Sequence, residues 1–132
     1  MLRKLLVLLS FQIFIVSSSI SMEKETTFNK RLFDKAQSEG KVVIVSSWIK
    51  YCSSCASQMK VLNQAKKEGK LLDIKFENIE YFSFDVTNKE FANLFDIKFQ
   101  TTLLIYKDNK EIYRSLGETT ENLIYEALKK VI

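Results

Sequence analysis

The sequence predicts an α/β sandwich in which one mixed sheet carries helices on both faces. Strand and helix patterns alternate along the chain, which predicts parallel pairing of strands through right-handed crossovers. Residues 42–45 form a continuous β-branched run, as expected of a central strand that is buried on both faces. The last two strands are separated only by a turn, so a hairpin adds an antiparallel edge.

The first half of the chain carries one helix, the buried strand and a second helix. Thr26 and Thr27 are candidate caps of the first helix, expected within residues 23–40, and Gly40 suits its C-terminal end. The second helix begins near Cys52. Its apolar residues recur at three-residue intervals, which is typical of one buried helical face, and Gly69 ends it.

The second half continues with strands at residues 81–86 and 102–106 and a short helix between them. Thr87 or Asn88 caps that helix. Asp108 and Asn109 form a turn, after which residues 111–115 return as the charged edge strand. The last helix follows Gly117 and carries apolar residues along one side: Leu123, Ile124, Ala127, Leu128 and Val131.

The first 21 residues have the order of a secretory signal peptide. Arg3 and Lys4 precede an apolar stretch, and small residues follow it, with cleavage expected after Ser19 or Ser21. The alternative is an uncleaved membrane anchor, but the apolar run is shorter than the roughly 20 residues of a spanning helix. We therefore expect a signal peptide at 1–21, one domain at 22–132 and no membrane attachment after cleavage.

Composition and charge argue against a disordered chain and against a nucleic-acid-binding protein. Hydrophobic residues make up 46% of the chain, enough for a packed core, so disorder is not expected. The net charge is +4, of which Arg3 and Lys4 contribute two, and the lysines are scattered rather than striped. Such a mild charge does not predict a nucleic-acid partner. The expected state is a monomer.

The two cysteines, Cys52 and Cys55, are three residues apart. A disulfide that closes so short a loop stabilises a fold by only about 2 kcal/mol in the chain-entropy model. The pair is therefore better explained by chemistry than by stability. Two cysteines in a chain without histidine supply only half of a four-ligand metal site, so neither a metal nor another cofactor is expected.

Helix geometry suits the pair to thiol chemistry. Residues i and i+3 share a helix face with Cβ atoms about 5–6 Å apart, close to what a disulfide needs. Cys52, at the helix start, points toward unpaired N–H groups and the positive end of the helix dipole, which favour the nucleophilic thiolate. Cys55, one turn deeper, would resolve a mixed disulfide formed at Cys52.

These residues resemble the thioredoxin family. The resemblance rests on a buried strand followed by Trp48, on the aromatic Tyr51 directly before the cysteine pair, and on the stretch from Asp85 to Asn88, and it covers residues 26–132. The chain is also similar to the periplasmic thioredoxin-like domains of bacterial transmembrane electron-relay reductases. The resemblance implies a thioredoxin-like three-layer sandwich, with Cys52 as the nucleophile and Cys55 as the resolving thiol.

The resemblance also implies roles for the neighbours of the cysteines. Trp48 corresponds to a packing residue beside the site. Tyr51 stands where the family usually has tryptophan, and it either contacts substrate or is simply an exposed aromatic residue. Ser53 and Ser54 separate the cysteines. Their hydroxyls either stabilise the reduced form, which makes the disulfide more oxidising, or only cap the helix.

Two further positions depart from the family. Thioredoxins carry a cis-proline facing the cysteines, whereas this chain contains no proline and places Gln100 and Thr101 there. A cis bond without proline costs about 3–4 kcal/mol, so a trans Gln100–Thr101 bond is expected, and the Thr101 hydroxyl is placed to bond a thiolate. Ser46 replaces the family's buried acid. Another residue or water must then accept the proton of the resolving thiol.

The sequence thus predicts an exported thiol–disulfide oxidoreductase that acts on protein thiols and disulfides and exchanges electrons with a redox partner protein. A bacterial periplasm is favoured over a eukaryotic secretory lumen. The alternative is a thioredoxin-fold binding module with a passive disulfide, which the missing acid and proline favour. The direction of electron flow stays open.

Overall fold

A computed structural model describes residues 24–132, so the predicted signal peptide at 1–21 lies outside the described residues. The helices are α1 (Lys30–Ser38), α2 (Ser53–Glu68), α3 (Lys89–Leu94) and α4 (Glu121–Lys129). The strands are β1 (Val42–Trp48), β2 (Lys70–Leu71), β3 (Ile74–Lys75), β4 (Ile79–Asp85), β5 (Thr102–Lys107) and β6 (Lys110–Leu116). The described helices include none that is long and apolar enough to cross a membrane.

The main sheet has the strand order β4-β1-β5-β6 and is mixed, as predicted. Strands β1 and β4 are parallel, with Val42 opposite Ile79 and Trp48 opposite Asp85. Strand β5 is antiparallel to both β1 and β6. The antiparallel part of the sheet is therefore larger than the closing hairpin alone, and the expectation of parallel pairing for β5 was wrong.

The connection between β4 and β5 contains only the short α3. A parallel crossover must carry the chain back along the whole length of a strand, about 23 Å for seven residues. Helix α3 has six residues and spans only about 9 Å. The chain starts β5 near the end at which β4 finishes, and Leu103 pairs with Ser46 there.

Side chains of β1 alternate between two cores, which places helices on both faces of the sheet. Val42 and Ile44 belong to the core covered by α2 and α4, whereas Val43 and Val45 belong to the core covered by α1 and α3. Val43, Ile44 and Val45 are fully buried. The predicted central strand is thus confirmed.

The segment before α1 differs from the prediction. Asn29, not Thr26 or Thr27, caps α1 by accepting a hydrogen bond from the Leu32 N–H. The two threonine hydroxyls instead accept hydrogen bonds from the backbone N–H groups of Asp85 and Ser83 on the outer side of β4. The N-terminal segment therefore covers a strand edge that would otherwise be open.

Around the end of α2, one element was not predicted and one boundary was. The β2–β3 hairpin was not predicted, because each of its strands has only two residues and shows no periodicity. Helix α2 ends as predicted at Gly69, whose positive φ of 75° suits glycine at a helix C-terminus.

Candidate active site

Cys52 and Cys55 form a disulfide at the start of α2, with their Cα atoms 5.3 Å apart. Cys52 is partly exposed, whereas Cys55 is fully buried. Only the Cys52 sulfur is therefore accessible to another molecule, either as the attacking group or as the sulfur that is attacked.

Cys52 is itself the N-terminal cap of α2. It has extended backbone angles, and its sulfur accepts a hydrogen bond of 3.2 Å from the Cys55 N–H. A sulfur in this position receives one of the unpaired N–H groups of the first helical turn and lies at the positive end of the helix dipole. Both effects stabilise a thiolate at Cys52 once the disulfide is reduced.

The two aromatic residues before the pair lie in different environments. Trp48, at the end of β1, is partly buried, and its carbonyl accepts a hydrogen bond from the Val86 N–H. Tyr51 is 90% exposed and has a positive φ of 64°. It therefore makes little packing contact with its own chain and is free to meet another molecule.

Thr101 lies against both sulfurs. Its hydroxyl oxygen is 3.2 Å from Cys55 Sγ and 3.6 Å from Cys52 Sγ. The Gln100–Thr101 bond is trans, since residues 24–132 contain no cis peptide bond. Thr101 instead has a positive φ of 61°. This left-handed conformation is rare for a β-branched residue and costs about 1–3 kcal/mol.

Backbone and side-chain hydrogen bonds hold Thr101 in that conformation. Its N–H donates to the Ser47 carbonyl at 2.8 Å, and its carbonyl accepts from the Gly117 N–H at 3.1 Å. The buried Ser47 hydroxyl also donates to the Phe99 carbonyl and accepts from the Thr102 N–H. The turn at Thr101 is therefore hydrogen-bonded both to the end of β1 and to Gly117 after β6.

Sequence reasoning missed Ser47 and Gln58. Gln58 is fully buried on α2, and its side-chain amide donates to the carbonyls of Thr101 and Glu118 at 3.4 and 3.0 Å. It joins two loops that are distant in sequence. A polar residue three positions after Cys55, on the buried face of α2, was the signal that could have revealed it.

The other predicted site residues are exposed. The Ser54 hydroxyl lies 3.0 Å from the Thr101 hydroxyl and 3.3 Å from Cys52 Sγ, so it belongs to the site. Ser53 occupies the first position of α2, and its carbonyl accepts a hydrogen bond from the Ser57 hydroxyl. Gln100 is brought beside the site by its neighbour Thr101, and its side chain is exposed.

Ser46, which stands where the resemblance expected a buried acid, is hydrogen-bonded to a tyrosine. The fully buried Ser46 hydroxyl lies 2.6 Å from the hydroxyl of Tyr81, which is also buried. Burial raises the pKa of the Tyr81 phenol well above its ordinary value, and the hydrogen bond with Ser46 offsets part of that rise. The pair satisfies two buried hydroxyls without any charge.

We expect Tyr81→Phe to change how stability depends on pH. Above the ordinary phenol value of about pH 10, the unfolded wild-type chain loses the Tyr81 proton while the folded chain keeps it. Its free energy of unfolding therefore falls, by at most about 1.4 kcal/mol per pH unit from this group. The free energy of unfolding of the variant does not fall in this way. The variant leaves the Ser46 hydroxyl unpaired, however, so near pH 8 it is less stable than the wild type by about 1–3 kcal/mol.

Urea unfolding of both proteins at about pH 8 and about pH 11 measures the difference. The deficit of Tyr81→Phe should shrink at the higher pH. The other tyrosines and the lysines are common to both proteins and cancel in the comparison. An equal deficit at both values would show that Tyr81 is not held protonated by burial.

Exposed apolar side chains lie on chain segments next to the site. Besides Tyr51, Phe99 is 62% exposed and Leu116 is 58% exposed. Phe99 and Leu116 line a groove of about 360 Å³ beside Thr102 at the β5–β6 edge of the sheet. Residues 24–132 hold no cluster of three or more metal-ligating His, Cys, Asp or Glu side chains.

The chain is similar to thioredoxins in both sequence and fold. A sequence model of the Thioredoxin family matches residues 19–130. Thiol-disulfide oxidoreductase ResA of Bacillus thuringiensis subsp. konkukian is 26% identical over 112 residues, covering 70% of this chain and 65% of that protein. The chain thus spans about 65% of the length of the curated relatives it matches.

Two solved structures share the fold. Trxlp from Edwardsiella tarda superposes with a TM-score of 0.63 at 23% identity, covering 75% of this chain and 92% of that one. Fasciola hepatica thioredoxin superposes with a TM-score of 0.59 at 24% identity, covering 76% and 88%. Both superpositions show the thioredoxin-like fold of this chain.

Proposed function

Since the chain belongs to the thioredoxin family, we propose that it is a thiol–disulfide oxidoreductase that exchanges disulfides with protein thiols. The observation that carries this proposal is the Cys52–Cys55 disulfide at the start of α2, with one sulfur partly exposed and the other buried. The name of the ResA relative, a thiol-disulfide oxidoreductase, supports it.

The reaction proceeds in two exchanges. In the reduced protein the Cys52 thiolate attacks one sulfur of a substrate disulfide, whose other sulfur leaves as a thiolate, and a mixed disulfide forms. Cys55 then attacks Cys52 Sγ and releases the second substrate sulfur. The substrate disulfide is reduced by two electrons, and the Cys52–Cys55 bond is restored. The same steps in reverse oxidise a substrate dithiol.

The substrates are polypeptides. Tyr51, Phe99 and Leu116 expose apolar side chains on segments next to the site, and exposed apolar patches are typical of surfaces that bind other proteins. A second protein thiol, on a redox partner, returns the cysteine pair to its starting state. Ser53, Gln100 and Tyr51, all exposed, are proposed to contact the substrate chain, with Trp48 packing behind them.

The protein works outside the cytoplasm, in a bacterial periplasm. The order of charged, apolar and small residues in positions 1–21 supports export, and an oxidising compartment allows the disulfide to form. The mass of the protein recovered from a periplasmic extract tests this. Loss of residues 1–19 or 1–21 is the expected result, and recovery of the intact chain from the cytoplasm would contradict export.

A passive disulfide in a binding module is the second candidate, favoured by Ser46, whose hydroxyl pairs with Tyr81 and leaves no buried acid at that position. Equilibration with glutathione buffers separates the two functions. A working exchange pair is expected to have a potential between about −270 and −120 mV, the span of thioredoxin-fold oxidoreductases. A potential below about −300 mV would mean that the bridge does not cycle, which would support the binding module.

A further inference from the structure

Resolution of a mixed disulfide requires the buried Cys55 thiol to lose its proton. Cys55 is fully buried, so bulk water does not reach its sulfur. The chain contains no histidine, and Ser46 is occupied by the Tyr81 hydroxyl. Among the described residues, the side-chain hydrogen-bond partner of this sulfur is the Thr101 hydroxyl, and neither a histidine nor a carboxylate is hydrogen-bonded to it.

Two hydroxyl groups lead from that sulfur to the surface. The Thr101 hydroxyl is 3.2 Å from Cys55 Sγ and 3.0 Å from the Ser54 hydroxyl. The Ser54 hydroxyl is 3.3 Å from Cys52 Sγ. Thr101 is buried and Ser54 is exposed. This series of hydrogen-bond contacts therefore leads from the buried Cys55 sulfur to the surface at which the substrate arrives.

Hydrogen bonds to the backbone keep Thr101 at the buried end of this series of contacts. Its left-handed conformation is held by the Ser47 carbonyl, by the Gly117 N–H and by the Gln58 amide. A hydroxyl is both donor and acceptor, so each group can take a proton on one side while it gives one on the other.

We propose that Thr101 and Ser54 form a hydroxyl relay that moves the Cys55 proton during resolution, an inference that rests on the proposed thiol–disulfide exchange. As Cys55 Sγ bonds to Cys52 Sγ, its proton passes to the Thr101 oxygen. The Thr101 proton passes to the Ser54 oxygen, and the Ser54 proton passes to the departing substrate sulfur. The Cys52–substrate bond breaks, its electron pair leaves with that sulfur, and both hydroxyls end neutral.

The test follows the two exchanges separately, with oxidised glutathione as substrate. Acid quenching and mass spectrometry record how fast the Cys52–glutathione mixed disulfide forms and how fast it decays. Thr101→Val removes the hydroxyl but keeps the β-branched shape. It is expected to slow the decay on the order of 10²-fold, the usual size of a proton-transfer contribution, and to slow the formation by no more than about threefold.

Four further variants test whether the slower decay of the mixed disulfide comes from loss of the relay. Thr101→Ser, which keeps the hydroxyl, restores most of the lost rate, and Ser54→Ala slows the same decay. The double variant Thr101→Val/Ser54→Ala is no slower than Thr101→Val, because both act in one chain. Ser57→Ala, a matched change at an exposed serine one turn further along α2, leaves both steps unchanged.

The pH profile separates proton transfer from a loss of shape. The defect of Thr101→Val should shrink as pH rises, because a thiol that has already lost its proton before the attack needs no relay. Decay at the wild-type rate in both Thr101→Val and Ser54→Ala, with normal formation, would overturn the relay and leave the exchange reaction standing. A wild-type protein that forms no mixed disulfide would overturn both.

Discussion

Cys52→Ser is expected to abolish the reduction of insulin disulfides, leaving only the background rate of dithiothreitol. A serine hydroxyl stays protonated at neutral pH, so it cannot replace the thiolate that attacks the substrate. Cys55 cannot take over, because it is fully buried. Insulin turbidity with dithiothreitol as reductant measures the loss. The substitution removes only one sulfur at a helix cap, so thermal unfolding should show a folded protein.

Cys55→Ser is the matched comparison. It keeps the partly exposed Cys52 and is expected to accumulate a covalent complex with one insulin chain, because no second thiol resolves it. Dithiothreitol should release that complex. If Cys52→Ser accumulated the complex instead, the attacking sulfur would be Cys55, and the assignment made from exposure would be reversed.

Phe28→Ala is expected to lower the free energy of unfolding by about 3–5 kcal/mol, the usual cost of removing a buried phenylalanine ring. Phe28 is 6% exposed and lies between the N-terminal segment and the core under α1 and α3. Its ring contacts five other rings at centroid distances of 4.8–6.3 Å, those of Phe33, Phe82, Phe84, Phe91 and Phe95. The remaining groups cannot fill so large a cavity without losing these contacts.

Urea unfolding at neutral pH measures this loss, with Phe99→Ala as the control. Phe99 is 62% exposed, so the same change there is expected to shift stability by only about 0.5 kcal/mol or less. A loss below about 1 kcal/mol for Phe28→Ala would show that the segment before α1 is not packed on the core.

The parts of the fold that depend on neighbouring residues could be predicted from the sequence. The buried strand, the helix that follows Cys52 and its stop at Gly69 each carry a local pattern, and all were confirmed. The direction of β5 could not be predicted, because alternation of helices and strands does not state whether a helix is long enough for a crossover. Thr26 and Thr27 carry a capping pattern, but the edge of β4 competes for the same hydroxyls and binds them.

The site around the cysteine pair likewise combines features that local sequence predicts with features that depend on distant residues. Its spacing and its place after a buried strand are properties of a few adjacent residues, so the sequence by itself determined the helix start, the disulfide and which sulfur would be outermost. The family resemblance placed Thr101 opposite the cysteines, but the contacts that hold it against the buried sulfur were decided by tertiary structure. Thr101 lies 46 residues from Cys55 and is held there by Ser47 and Gln58. These contacts depend on the antiparallel pairing of β1 with β5, which no local pattern encodes.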